Sequence, residues 1–379
     1  ARQDSGMRRN GIFLGEAVAG ERDAERRLQH YLHALQTPDI ACISVKLSTI
    51  YSQVSTIARQ QTIRVVADRL ELLYRAAARE RFVARDGAAQ SKFVYLDMEE
   101  YRDLYLTADV FRETLGRPGL EKARAGIALQ AYNPDTARVL EELLQWSARR
   151  VAAGGSPITV RLVKGANMEM ERVEASLLGL PQTPFDSKVG TDANFKHMLR
   201  CLIESASGGN VRIGVASHNL FDIALAILWG HRARCAGGGT VLEKMQFEML
   251  EGMANHQRRA LCESASHMLL YAPACSREDF LHAIGYLIRR LDENTGPENF
   301  MRYSYRLTPH SPTWDQLAQG FKEAFGSMAR VDTSPRRKQD RRQTHIAPAA
   351  AKTWSQFVGE PDTDWSLPQH SEWAQSIID

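Results

Sequence analysis

Ile158-Thr159-Val160-Arg161-Leu162-Val163-Lys164 is an apolar run closed by a charge, and it reads as a β-strand. The stretch from about residue 193 to 203 carries a helical pattern, with Thr191 or Asp192 as its cap. The same pairing recurs on both sides. Toward the N-terminus, strand-like runs over 126–132, 93–97, 42–48 and 11–17 are each followed by a helix-like segment. Pro134 and Asp135 open one of these helices, and Gly116 and Pro118 stop another. Toward the C-terminus, runs over 211–217, 245–249 and 268–271 are followed by helices, the last with Leu281, Ile284, Ile288 and Leu291 at helical spacing. Eight strand–helix pairs within residues 11–295 match the period of a (β/α)8 barrel, an α/β fold. A doubly wound open sheet usually has fewer strands and would want a Gly-rich phosphate loop after its first strand. GxGxxG is absent.

Composition narrows the function. At 379 residues, with 44% hydrophobic and 25% charged residues, the chain is that of a soluble globular protein of one large domain or two ordinary ones. A net charge of +3 and the lack of a basic stripe interleaved with aromatics argue against nucleic acid. The five cysteines are scattered, without a CxxC pair, so neither a disulfide framework nor a zinc site is supported, and a reducing cytoplasm fits best. No run is long enough to span a bilayer. The basic run 336–342 sits in a Pro- and Ala-flanked linker and reads as a solvated hinge, or as a weak contact to acidic lipid. The chain starts on Ala and stops mid-pattern, which reads as a fragment or a processed chain.

In a barrel the C-terminal ends of the strands face the active site. Those ends offer Glu16, Lys46, Asp97, Gln130, Arg161 with Lys164, His218 with Asn219, Glu248 and Tyr271. Any one of them is more often merely solvated, but so many on one face predict a polar catalytic mouth. Lys46 and Asp97, from neighbouring strands, are close enough to pair, either to orient a substrate or to neutralise each other. His218 has no nucleophile beside it and no cluster of metal ligands around it, so no triad and no metal site is expected; a buried, satisfied ring at a strand end also fits it. On the last helix Arg289 and Arg290 stand side by side, with Glu293 one turn beyond Arg289. Two guanidiniums can hold one carboxylate through several charge-assisted hydrogen bonds. Alone, the same pattern more often marks a solvated face with an i,i+4 ion pair; it is the company the helix keeps that favours the clamp.

Seven motifs occur in order on the expected elements: Val45-Lys46-Leu47-Ser48, Leu96-Asp97-Met98-Glu99-Glu100, Leu129-Gln130-Ala131-Tyr132, Val160-Arg161-Leu162-Val163-Lys164-Gly165-Ala166, Ser217-His218-Asn219, Tyr271-Ala272-Pro273 and Tyr286-Leu287-Ile288-Arg289-Arg290-Leu291-Asp292-Glu293-Asn294. Together they resemble the proline dehydrogenase barrel of the flavoenzyme proline utilization A, over residues 11 to about 305. The tail 357–368 is similar to the lead-in to the aldehyde dehydrogenase half of that bifunctional family, a half for which these residues leave no room. The expected domains are a remnant over 1–10, the barrel over 11–330 and a linker over 331–379.

The resemblance implies an FAD enzyme that oxidises L-proline to Δ1-pyrroline-5-carboxylate by hydride transfer from proline C5 to flavin N5. A membrane quinone then takes the electrons, which fits a cytoplasmic protein or one peripheral to the membrane. Arg289 and Arg290 match the pair that holds the proline carboxylate, and Glu16 matches the glutamate that pairs with the first arginine and gates the site. Lys46, Asp97, Leu250, Tyr271 and Tyr286 match substrate neighbours, Lys46, Asp97 and the arginines being the catalytic set. Gln130, Arg161, Val163, Lys164, Gly165, Ala166, Thr191, His218, Asn219 and Glu293 match flavin contacts. Two departures stand out: Asn167-Met168 stands where the better-known members of the family have Tyr-Trp, and the loop after Tyr271 is slightly long. A flavin barrel acting on hydroxyproline, or a flavin-free fragment, are the rival readings.

Overall fold

The computed structural model describes residues 8–13, 18–84, 87–265, 267–275, 277, 280–343, 353–356 and 361–378. Eight strands close into a parallel barrel: β1 Arg8–Phe13, β2 Cys42–Val45, β3 Phe93–Leu96, β4 Ala125–Gln130, β5 Ile158–Val163, β6 Val211–Ala216, β7 Met245–Leu250 and β8 Met268–Ala274. Each pairs with the next, and β8 closes on β1 with Leu269 opposite Arg8. The outer helices are α1 Glu21–Gln36, α2 Arg59–Arg79, α3 Leu104–Leu115, α4 Asp135–Ala152, α5 Lys188–Ser207, α6 Leu220–Arg232, α7 Asn255–Ser264 and α8 Phe280–Thr295. The expected (β/α)8 barrel is what the chain forms. No helix among the described residues is long and apolar enough to cross a membrane.

The two-residue period of a strand explains how the core is divided. On β5, Ile158, Val160 and Leu162 belong to the large apolar core under the helices. Thr159 and Arg161, which alternate with them, are buried as well, and Arg161 bonds across the barrel interior. On β7 the alternation is Met245, Phe247 and Met249 outward against Gln246 and Glu248 inward. Barrel interiors usually fill with branched aliphatics. Here much of the interior is polar, which ties it to the site above.

Several boundaries differ from expectation. β1 begins at Arg8 rather than residue 11, and residues 14–17 lie outside the described part. β2 ends at Val45, because Leu47–Ile50 turns into a short helix. α5 starts at Lys188: the Ser187 side chain accepts from Gly190 N at 3.2 Å and caps it, so Thr191 and Asp192 lie inside the helix. A hairpin of Arg81–Val83 with Ala89–Ser91 and a helix Met168–Leu177 after β5 were not anticipated. Beyond α8, helix Pro312–Ser327 packs on α5, and its Trp314 and Phe321 meet Phe221 of α6 at ring separations of 4.9 and 5.7 Å. The basic run is no solvated hinge throughout. Arg337 is 5% exposed and ion-paired with the equally buried Asp364 at 3.2 Å, a shelter its neighbours in sequence could not reveal.

Candidate active site

A cavity of about 380 Å³ opens at the C-terminal ends of the strands. Its floor is Arg161. Nε of that guanidinium donates to Glu248 Oε2 at 2.6 Å, and Nη1 donates to Asp97 Oδ1 at 2.6 Å and to Ser44 Oγ at 3.2 Å. The Tyr95 ring lies under the guanidinium, 3.8 Å from ring centre to Cζ, and Tyr271 donates its hydroxyl to Asp97 Oδ2 at 2.8 Å. Burial alone would lower the Arg161 pKa, but Glu248 and Asp97 outweigh it and push it well above the ordinary value. Burial, then Asp97, pushes the Tyr271 hydroxyl far up, so it stays a donor.

Lys46 and Asp97 both line the cavity, but they are not each other's partners. Lys46 Nζ stands 3.7 Å from Glu99, whose carboxylate also accepts from Ser48 N and Oγ at 3.2 and 2.7 Å. Asp97 is engaged instead by Arg161 and Tyr271, which reach it from the barrel interior. Glu99 is the residue that sequence reasoning passed over. It lies in a quoted motif, but in a loop, where no periodicity assigns it a direction.

A second charged group lies at the end of β5. Lys164 Nζ is 2.6 Å from Asp192 and 2.7 Å from Asp222, Lys188 pairs with Asp192, and Lys196 lies 3.2 Å from Asp222. Burial would lower Lys164 and raise Asp192. The mutual attraction wins in both, raising Lys164 and holding Asp192 at about 2. Gly165 follows with φ of +118°, and an added Cβ would stand 1.6 Å from the Tyr132 ring, so only glycine fits this turn.

Gln130 donates to the Glu99 carbonyl at 3.1 Å, and Asn219 caps α6 by accepting from Phe221 N at 3.0 Å. His218 Nε2 accepts from Leu250 N at 3.2 Å; burial, helped by the Arg290 charge, pushes its pKa down to about 4, so the ring is neutral near pH 7. It is thus a half-buried, hydrogen-bonded ring just beyond the end of β6 and a cavity wall at once. From α8, Arg290 Nη1 pairs with Glu293 at 2.7 Å, an i,i+3 pair, and its guanidinium is 5.4 Å from the Tyr286 ring centre. Burial raises the Glu293 pKa against that charge.

Fifteen of the eighteen expected site residues line this one cavity: Lys46, Asp97, Gln130, Arg161, Val163, Lys164, Gly165, Ala166, His218, Asn219, Leu250, Tyr271, Tyr286, Arg290 and Glu293. Thr191 is buried in α5 and does not line it. Glu16 and the Arg289 side chain lie outside the described residues.

A family model described as "Proline dehydrogenase" matches residues 1–303. Among solved structures, proline utilization A from Corynebacterium freiburgense is similar at a TM-score of 0.80 and 34% identity, covering 99% of this chain and 34% of that one. Proline utilization A from Bdellovibrio bacteriovorus, inactivated by N-propargylglycine, is similar at 0.75 and 25% identity, covering 99% and 37%. The bifunctional protein PutA of Rhizobium meliloti is 27% identical over 317 residues, 78% of this chain and 23% of that protein. Hydroxyproline dehydrogenase of Bos taurus is 30% identical over 167 residues, 44% and 34% of the two chains. The chain therefore spans between 23% and 37% of the length of these four relatives.

Proposed function

The chain belongs to the proline dehydrogenase family, and on that premise we propose that it oxidises L-proline to Δ1-pyrroline-5-carboxylate, with FAD as resident cofactor and a membrane quinone as electron acceptor. The residues present fit a flavin. Arg161 Nη2 is buried without a protein partner, and Arg161 lines the cavity. Gly165 carries no side chain where the backbone borders the cavity. Gln130, Arg161, Val163, Lys164, Gly165, Ala166, His218, Asn219 and Glu293 would hold the cofactor, with Thr191 supporting from α5. When bound, FAD supplies the hydride acceptor for proline C5.

The remaining work falls to the side chains. Arg290, joined by Arg289, clamps the substrate carboxylate, so one end of a small ring is fixed and little rotational freedom is left. Arg290 then shares itself between the substrate and Glu293, and Glu16 serves as the gate. Lys46, Asp97, Tyr271 and Tyr286 form the polar surround, and Leu250 the apolar contact to the ring. Arg161 offers positive charge where electron density accumulates. Residues 11–330 are the barrel domain on this reading, and 331–379 lead toward an aldehyde dehydrogenase half, in a cytoplasmic protein peripheral to the membrane that holds the quinone.

The observation that carries the proposal is the convergence of Arg290 from α8 with Lys46, Tyr271 and Leu250 around a cavity floored by Arg161. Its test is the absorbance spectrum of the purified protein before and after anaerobic L-proline. A flavin band bleached by proline, and not in Arg290→Ala, is the expected result; absence of flavin even after adding FAD would sink it. Because hydroxyproline dehydrogenase is among the relatives, hydroxyproline is the second substrate to try. Bleaching by it alone would assign the clamp to that ring.

A further inference from the structure

Glu248 is a strand-end residue that the proposed reaction does not yet use. It is 3% exposed, on β7. Oε2 accepts from Arg161 Nε at 2.6 Å, and Oε1 accepts from Tyr95 Oη and Gln246 Nε2, both at 2.7 Å. Both carboxylate oxygens are therefore engaged, and the side chain is fixed from two sides. β6 makes room for it: a Cβ on Gly214 would stand 2.4 Å from Glu248 Oε1.

The consequence lies in which donors of Arg161 stay available. A guanidinium has five N–H groups in a rigid fork. Glu248 takes the one on Nε, while Asp97 and Ser44 take those on Nη1. Nη2 is left buried without a protein partner. If Glu248 released Nε, the fork could turn about Asp97 and change the face that the guanidinium presents to the cavity. Glu248 also sets the charge: with Asp97 it places two carboxylates against one guanidinium in a buried space.

We propose that Glu248 is the positioning residue of this site, holding the Arg161 guanidinium in one orientation at the cavity floor, toward the electron-rich part of a bound flavin, and tuning that flavin through its charge. The inference rests on the FAD reading above. It concerns a residue that acts through Arg161, so its test must read the flavin itself, not only turnover.

Glu248→Gln keeps an oxygen acceptor for Nε and removes the negative charge; Glu248→Ala removes both. The measurements are the FAD dissociation constant by titration of apoprotein, the flavin midpoint potential, and kcat and KM for L-proline. Circular dichroism checks that each variant is folded. In Glu248→Gln the potential should rise, shifting the two-electron equilibrium toward reduced flavin about tenfold, or about 30 mV. FAD affinity should stay within about threefold, because the hydrogen bond survives. In Glu248→Ala, FAD affinity should fall about tenfold or more and kcat should drop, with KM for proline little changed, since the clamp on α8 is untouched. A role confined to packing would lower the melting temperature and move neither potential nor kcat/KM partition. Wild-type potential in Glu248→Gln together with wild-type FAD affinity in Glu248→Ala, in a protein that proline does reduce, overturns this inference and leaves the parent reading standing. A wild-type protein that binds no flavin overturns both.

Discussion

Arg290 illustrates how a residue's role depends on what it would leave behind. It is paired with Glu293 at 2.7 Å, and both are only partly exposed. In the proposed complex its removal also strands a substrate carboxylate in a poorly solvated pocket. Arg290→Ala should therefore lower kcat/KM for proline by on the order of 2–4 kcal/mol, roughly a hundredfold, mostly through KM. Steady-state kinetics check this, and a loss under fivefold would move the clamp elsewhere. Tyr271 makes a different case, because its hydroxyl donates to a carboxylate already held by Arg161. Tyr271→Phe leaves Asp97 Oδ2 without that donor and should cost about 1–3 kcal/mol of folding stability, measurable by urea titration. Most of these residues were legible in the sequence because they close strands, and a strand end in a barrel has a known direction. The identity of partners was not: Lys46 and Asp97 are neighbours by strand order, yet Lys46 meets Glu99, since a loop residue can reach where strand order says nothing.

At the scale of elements, the eight strand–helix pairs could be read from periodicity because most strands place apolar residues at every second position and most outer helices bury an apolar face; α8 is the exception, with Ile284, Ile288 and Leu291 of its expected stripe exposed. Helix Met168–Leu177 could not. Met170, Val173 and Leu177 of this helix are exposed, so its apolar residues mark no core-facing stripe. What fixes it is Glu171, 2% exposed, which accepts from Tyr101 N at 2.7 Å and from the Tyr132 hydroxyl at 2.8 Å. Asn167 adds a bond to the Glu99 carbonyl at 3.0 Å. Burial lifts the Glu171 pKa to about 7, against the pull of those two donors. The sign follows from linkage. Between the ordinary glutamate pKa and about 7 the unfolded chain has lost this proton while the folded chain keeps it, so stability falls as pH rises through that window and levels off above it. Glu171→Gln has no proton to lose. The stability of wild type relative to Glu171→Gln should drop by on the order of 3 kcal/mol from pH 5 to pH 8, and chemical denaturation at the two pH values decides it; a pH-independent difference would mean that Glu171 is ionised in both.

For the whole molecule, the sequence divides at about residue 330, where periodicity ends and a basic run begins. The charge pattern of that run suggests solvation because a sequence shows charges without their distant partners. The fold supplies them: Arg336 lies 2.9 Å from Asp186, on the segment leading into α5. Arg337 donates to the Pro181 carbonyl at 3.0 Å, pairs with Asp364 and lies over the Tyr101 ring at 4.9 Å. Tyr101 is the residue whose backbone holds Glu171, so the segment after residue 330 abuts the same structure that anchors the helix beside the site. Asp364 keeps two donors from Ser366, its N–H and its hydroxyl, and so would not be wholly stranded if Arg337 were lost. The full penalty of breaking a buried pair, roughly 3–5 kcal/mol, is thereby an upper range. Arg337→Ala should thus cost about 3 kcal/mol, while Arg342→Ala, whose side chain is half exposed and paired with Asp340 two residues before it, should leave the melting temperature almost unchanged. Thermal melts of the two variants test the contrast. Equal, small shifts would mean that the segment after residue 330 does not dock on the barrel in solution, whereas the expected inequality makes it part of the same folded unit.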